Sequence, residues 1–379
     1  MAVPAAFPAS AGTLTVESTS IPGLTAKSAI VTHTLRFTGL IETPDADKLR
    51  TELSRIRAKA SPGDGPMATI EFSSKGGDLL EGIKMGYLLR EFDVASLVKA
   101  EDMCLSACAL AFLGGTQSHQ PPSAVPSRRI AIGGKVGFHN FSINVGQVQA
   151  ETKNDASAGI NRSFSLARAG AAQMMRFVTD MGVEPAFIAQ LVGLAPESWQ
   201  YVDSAGEFLE TGSCPVGNLP SPGRIESQAV NVCSNATGWL TTLDPSQAQR
   251  HSLPQAQRHL LEHVRSNIAA FNLKGPLANQ LAAVIASSDN RLVDSVYADL
   301  RAAGVTLPEM KGTHFEVVIE SRDGYRLQCH VSLAPNEIDS FDLVLVTNAG
   351  FARPFRLPPV GCPGLFRYNR DDLINPARG

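Results

Sequence analysis

Ala68-Thr69-Ile70-Glu71-Phe72-Ser73-Ser74-Lys75-Gly76-Gly77-Asp78 is a short apolar strand that runs into a double-glycine turn. The helix from Asp78 to Phe92 follows, with Leu80, Ile83, Tyr87 and Leu88 expected on its buried face. A second β-branched run, Val94 to Val98, begins almost at once. Strand, helix and strand in such quick succession argue for βαβ units and a mostly parallel sheet. Downstream, Cys104-Leu105-Ser106-Ala107-Cys108 opens the apolar helix Ala107 to Leu113, and Lys135-Val136-Gly137-Phe138-His139-Asn140 comes about thirty residues later.

A turn rich in backbone N–H groups, a serine at a helix start and a later histidine are the three parts that acyl transfer needs. Each residue also has a plainer reading. Gly76-Gly77 can be a tight strand-to-helix turn, or it can carry an oxyanion, because glycine reaches φ > 0 and lets N–H groups approach a ligand closely. Ser106 can cap the helix through its hydroxyl, or it can be a nucleophile in the positive field of the helix start, with the Ala107 N–H as a second oxyanion donor. His139 can be an ordinary strand-end residue or the general base. Ser106 and His139 lying in register favours the oxyanion reading of the glycines, while their own two readings stay open on the residues alone.

These motifs resemble those of the Clp-protease/crotonase superfamily, and most of all its bacterial extracytoplasmic Clp-like members. Those proteins read S-P-G-G-x-x-x-x-G, then C-x-S-A-C-A-L-x-F-L-G-G, then G-x-H. The chain has Ser74-Lys75-Gly76-Gly77-Asp78 with Gly82, Cys104 through Gly115, and Gly137-Phe138-His139. Lys75 stands where the family has proline, which adds an N–H rather than removing one. The resemblance spans roughly residues 28–215. It implies an α/β fold with a Clp/crotonase-like spiral of ββα units, and a serine hydrolase, specifically a peptidase. Ser106 would be the nucleophile, His139 the base, and Gly76, Gly77 and Ala107 the oxyanion donors. It also implies a peptide or protein substrate, self-association into a homo-oligomer, and no cofactor. The orienting carboxylate falls near Tyr201 to Glu210. Gln200 or Trp199 occupies its aligned place, and Glu197 and Asp203 are the nearby acids, so a Ser-His dyad stands beside a triad. A catalytically inactive binding or assembly protein, and an acyl-CoA-binding crotonase-like protein, are the alternatives.

Outside this core, residues 1–27 are rich in small residues, Pro, Ser and Thr and read as a flexible segment. A strand is expected over Ala29–Phe37 and a helix over Asp45–Lys59, the latter with Leu49, Leu53 and Ile56 on one stripe. Helices are expected at Ser163–Met181 and Pro185–Leu194, with a polar, irregular stretch at 141–160 before them. Residues 216–245 read as a linker, opening on the Pro/Gly/Ser-rich run 215–227. A small helical region (246–310) and a C-terminal β-rich lobe (311–379) complete the chain. In that lobe Arg322-Asp323-Gly324 marks a hairpin between two alternating runs.

With 379 residues, two or three domains are expected. Hydrophobic content of 44% against 18% charged residues is that of a globular protein. A net charge of −3 without a Lys/Arg cluster argues against a nucleic-acid partner. No apolar run reaches the roughly 18 residues of a membrane span. The first residues, Met1-Ala2-Val3-Pro4-Ala5-Ala6, lack the basic and apolar regions of a signal peptide. A cytoplasmic protein and a periplasmic one stripped of its signal both remain open. Six cysteines fit the oxidising alternative, with Cys104/Cys108, Cys214/Cys233 and Cys329/Cys362 as the pairs their spacing suggests. His259 and His263, four apart, could share a helix face but lack a third ligand, so no metal site is read there.

Overall fold

The protein is represented by a computed structural model that describes residues 12–22, 29–59, 66–118, 124–139, 156–195, 197–238, 244–267, 273, 275–320, 326–347 and 350–376. It is a mixed α/β chain that divides into two compact units. The first comprises residues 1–220, 359–361 and 371–379, and the second residues 221–358 and 362–370.

The first unit is built on a six-stranded sheet. Its members are β1 (Thr13–Pro22), β2 (Ala29–Thr38), β3 (Ala68–Ser73), β4 (Val94–Val98), β8 (Arg128–Ala131) and β11 (Ser213–Val216), side by side in that order. From β2 to β11 every neighbour is parallel, as the strand–helix alternation requires. Helices α1 (Asp45–Arg57) and α2 (Leu79–Glu91) make the first two crossovers. The stripe of α1 is buried as its spacing predicts, with Leu49, Leu53 and Ile56 all inside. Asp78 caps α2 by accepting the N–H of Glu81.

A second, three-stranded sheet places β9 (Lys135–His139) between β5 (Met103–Leu105) and β10 (Trp199–Tyr201). β5 is parallel to β9 and β10 antiparallel to it. Helix α3 (Ala107–Leu113) follows β5 and is buried at every position. Gly82 of α2 lets that helix lie against α3, since a Cβ there would fall 2.4 Å from the Ala107 carbonyl. The strands β6 (Thr116–Ser118) and β7 (Val125–Pro126) form a small ribbon. Helices α4 (Ala156–Asp180), α5 (Pro185–Gly193) and α6 (Ala205–Thr211) complete the unit, together with the returning C-terminal residues.

In the second unit, α7 (Ile225–Thr237) precedes an antiparallel five-stranded sheet, β12 (Ala248–His251), β13 (Thr313–Glu320), β14 (Arg326–Leu333), β15 (Phe341–Thr347) and β16 (Gly350–Ala352). Helices α8 (Leu253–Ser266), α9 (Pro276–Ala286) and α10 (Asn290–Ala302) share one core that includes Leu260, Leu281, Val293, Leu300 and Val346 of β15.

Several sequence expectations change. Residues 13–22 of the segment read as flexible are strand β1, paired antiparallel with β2 along its whole length. Its alternation, Leu14-Thr15-Val16, is sheet-compatible, but only the partner strand makes it a strand. The stretch read as a linker over 216–245 contains α7, whose face buries Ala229, Val230, Val232 and Cys233. The helical region and the β-rich lobe are not two bodies: β12 joins the sheet of the lobe, and the helices pack on it. Residues 359–361 and 371–379, assigned to the lobe by sequence, belong to the first unit. The hairpin turn 322–324 and most of the 141–160 stretch lie outside the described residues.

The cysteine pairing also changes. Cys104 bonds Cys108, as their spacing suggests, but Cys233 bonds Cys329, so neither Cys214/Cys233 nor Cys329/Cys362 forms. No cysteine is a free thiol. The reason is tertiary: α7 packs on β14 and brings together two residues 96 apart in sequence.

Candidate active site

The site grows from the junction of β5 and α3. Leu105 pairs with Gly137 of β9, and the Ser106 N–H donates to the Gly137 carbonyl at 2.8 Å. Two residues past Gly137, at the end of β9, comes His139. The parallel register therefore carries the imidazole to the serine, and Ser106 Oγ and His139 Nε2 lie 2.8 Å apart. In the tautomer in which Nε2 is unprotonated, the hydroxyl donates to it, which is the arrangement of a base-activated nucleophile.

Ser106 occupies the cap position of α3 but its side chain caps nothing. Its backbone, at φ 57° and ψ −122°, lies where an L residue is strained. That conformation turns the hydroxyl away from the helix N–H groups and toward His139. A sharp strand-to-helix elbow of this kind is how several hydrolases present their nucleophile. The Cys104–Cys108 disulfide closes over the elbow, joining the strand before it to the first turn of the helix after it. The plain helix-cap reading of Ser106 is thereby set aside.

The double-glycine turn lies against the serine. Ser74 is tied to β5 by two bonds: its N–H donates to the Met103 carbonyl at 2.7 Å, and its carbonyl accepts from Leu105 at 3.0 Å. Gly76 and Gly77 have φ of 101° and 143°. A Cβ on Gly76 would fall 2.8 Å from the Ser106 Cβ and 3.2 Å from the Ala107 nitrogen, so only glycine fits there. Sequence reasoning named both glycine N–H groups as oxyanion donors, and for Gly76 this needs correcting. Its N–H donates to Ser74 Oγ at 3.1 Å inside the turn. Gly77 N–H has no acceptor among the described residues, because the Gly77–Ile41 bridge uses the Gly76 carbonyl and the Asp78 N–H instead. Ala107 N–H, the first of α3, has no intrahelical acceptor. Of the three N–H groups, these two are the ones without an acceptor among the described residues.

Around the histidine, the antiparallel pairing of β9 with β10 sets Trp199 opposite His139. The two rings lie 4.6 Å apart at 50°, and Trp199 in turn stacks on Tyr201. In the sequence Trp199 stands only as one of two residues at the place of the orienting carboxylate; its contact with the imidazole comes from that register. Of the two acids proposed to orient the histidine, Asp203 is in the wrong place. Val202 N–H donates to the Val136 carbonyl, so Asp203 lies near the start of β9, about 13 Å along the strand from His139 at 3.3 Å per residue. Its backbone carbonyl accepts from Ile374 and Asn375. Glu197 is exposed, two residues before Trp199. Gln200, near the aligned position, donates its amide to Glu207, the residue that closes the capping box at the start of α6. What the described geometry brings together is the Ser106–His139 pair, with Trp199 on the imidazole.

In the six-stranded sheet, the buried Arg128 of β8 donates to the carbonyls of Thr211, the last residue of α6, and Met181, the residue after α4. A cation at helix C-termini is favourably placed. Desolvation, and after it the nearby Arg90 charge, push the guanidinium down to about 9, which still leaves it charged at neutral pH.

Neither a scan against models of known protein families nor a search of the curated proteins returns a match to this chain.

Proposed function

We propose that this protein is a serine hydrolase of the Clp/crotonase-like type, acting as a peptidase. One observation carries the reading: Ser106 Oγ, on a strained elbow and free of any capping bond, lies 2.8 Å from His139 Nε2. In the proposed reaction His139 accepts the hydroxyl proton as Oγ attacks a substrate carbonyl carbon. The N–H groups of Gly77 and Ala107 bind the resulting oxyanion. The imidazolium then protonates the leaving amine, giving an acyl-enzyme, and His139 deprotonates a water that releases the acid and frees Ser106. No cofactor takes part in these steps. The spiral arrangement of the core, the peptide substrate and self-association follow from the motif resemblance. The absence of free thiols agrees with an oxidising, extracytoplasmic compartment. Among the described residues no helix is long and apolar enough to cross a membrane.

The experiment is labelling with a fluorophosphonate. Wild-type protein should label at Ser106, Ser106→Ala should not label, and His139→Ala should label slower by about 10²-fold or more, the contribution of general-base assistance. Folded wild-type protein that stays unlabelled at high probe concentration would replace the hydrolase with a binding or assembly protein that kept the fold.

A further inference from the structure

The second unit holds a polar cluster that the Ser106 chemistry does not use. Antiparallel pairing places Gln249 and His330 on either side of Glu316, and His251 beside His314. Because side chains alternate across a strand, Glu316, His251, His314, His330 and Gln328 all emerge on one face of the sheet. Helix α8 contributes His259 and His263, one turn apart, to the same cluster. Rings of His251 and His259 lie 4.8 Å apart, and His330 is 6.3 Å from His259 and 5.8 Å from His263. Of the helical pair, His259 meets two further donors in the fold, His251 and Glu316.

We propose that His251, His259 and Glu316 bind a divalent transition-metal ion of the zinc class. Three observations carry this. First, one donor atom from each residue falls within 4.8 Å of the other two. Glu316 Oε2 is 2.8 Å from His259 Nδ1 and 3.4 Å from His251 Nε2. Ligands about 2.0–2.1 Å from a tetrahedral zinc stand roughly 3.3 Å from each other, so modest side-chain adjustment closes the set. Second, the carboxylate is already oriented. Gln328 Nε2 donates to Glu316 Oε1 at 3.0 Å, which leaves Oε2 facing both imidazoles. An outer partner of this kind typically fixes a metal-binding carboxylate. Third, one of the ligand nitrogens is buried without a hydrogen bond. His251 Nε2 is buried without a hydrogen-bond partner and has only the ion-pair contact with Glu316 Oε2 at 3.4 Å. An unsatisfied buried imidazole nitrogen costs stability unless something occupies its lone pair.

Two imidazoles and one carboxylate form a donor set that suits zinc and its neighbours rather than magnesium or calcium. The His259 side chain, 35% exposed, leaves a way in from solvent. With no free cysteine in the chain, thiolates cannot compete for the ion.

The test uses full-length protein, stripped with chelator and titrated with Zn²⁺ by calorimetry, with Co²⁺ absorption as the report on coordination. One ion per chain is expected, with a visible Co²⁺ band. His251→Ala and His259→Ala should each weaken Zn²⁺ binding by at least about tenfold, since losing an outer-shell partner alone costs that much. Gln328→Ala should weaken it less than either. His139→Ala, in the other unit, should leave it unchanged. Glu316→Gln removes a buried charge and is therefore read only where its circular dichroism matches wild type. Absence of a tight zinc site in the wild type would overturn the proposal, as would His251→Ala and His259→Ala proteins that bind like wild type.

Discussion

Ser106 holds a backbone conformation that costs an L residue about 1–3 kcal/mol, and its neighbours keep it there. The Gly137 carbonyl holds its N–H, the buried helix α3 holds its far side, and Gly76 leaves just enough room beside its Cβ. Gly76→Ala should therefore act on the site directly. The added methyl would meet the Leu105 carbonyl at 2.7 Å and the Ser106 Cβ at 2.8 Å, at a φ of 101°. We expect fluorophosphonate labelling to fall at least tenfold and stability to drop by about 2–4 kcal/mol, as for other overpacked or strained buried positions. Urea unfolding together with labelling rates would check both. By the same reasoning Ser106→Gly relieves the elbow while Ser106→Ala keeps it, so the glycine variant should be the more stable of the two by about 1 kcal/mol. A lower stability for the glycine variant would show that the elbow is not strained.

The two assigned disulfides differ in what they hold. Cys104–Cys108 closes a loop of a few residues, whereas Cys233–Cys329 joins α7 to β14 across a sequence separation of 96. In the chain-entropy account the short loop is worth about 2 kcal/mol and the long one about 4.7 kcal/mol. The double substitution Cys233→Ser with Cys329→Ser should therefore lower the melting temperature more, yet leave Ser106 labelling in the folded protein near wild type. Cys104→Ser with Cys108→Ser should do the reverse: a smaller shift in melting, but slower labelling, because the elbow loses the bond that closes over it. Equal labelling by both double mutants would mean that the buried faces of α3 suffice to hold Ser106.

Across the whole chain, the first unit includes residues 371–379, which are far in sequence from the rest of it. Asn375 accepts the Gly133 N–H through its side-chain oxygen at 2.8 Å and donates to the Gly134 carbonyl at 2.7 Å. Ala205 N–H donates to the Asp372 carbonyl, and Ile374 N–H to that of Asp203. This C-terminal segment thus fastens the turn that leads into β9, the strand bearing His139, to the start of α6. Asn375→Ala should destabilise the protein by about 1–3 kcal/mol, the cost of leaving buried polar groups unpaired. A chain ending at residue 370 should lose Ser106 labelling before it loses the second unit, as followed by labelling and hydrogen exchange along a denaturant series. If that truncated chain labelled like the full one, the tail would be a passive cover.

Local patterns were enough to read most of the first unit. The parallel strands, α2 and the elbow helix follow from short-range apolar periodicity and from glycine, whose steric freedom is a property of the residue itself. Ser106 and His139 could be singled out because the contiguous motifs that hold them carry the family resemblance. What lay beyond reach depends on partners distant in the chain. Strand β1 is a strand because β2 pairs with it. Cys233 finds Cys329 because α7 lies on β14, and Trp199 meets His139 through the β9–β10 register. Gly76 N–H is lost to the oxyanion role by a bond to Ser74, which no composition or spacing encodes. Glu316 joins His251 and His259 only once the sheet of the second unit is assembled. Sequence alone determined which residues are chemically able to act; the tertiary structure decided which of them stand close enough to do so, because hydrogen bonds and metal ligation reach only a few ångströms and pairing register sets distances on that scale.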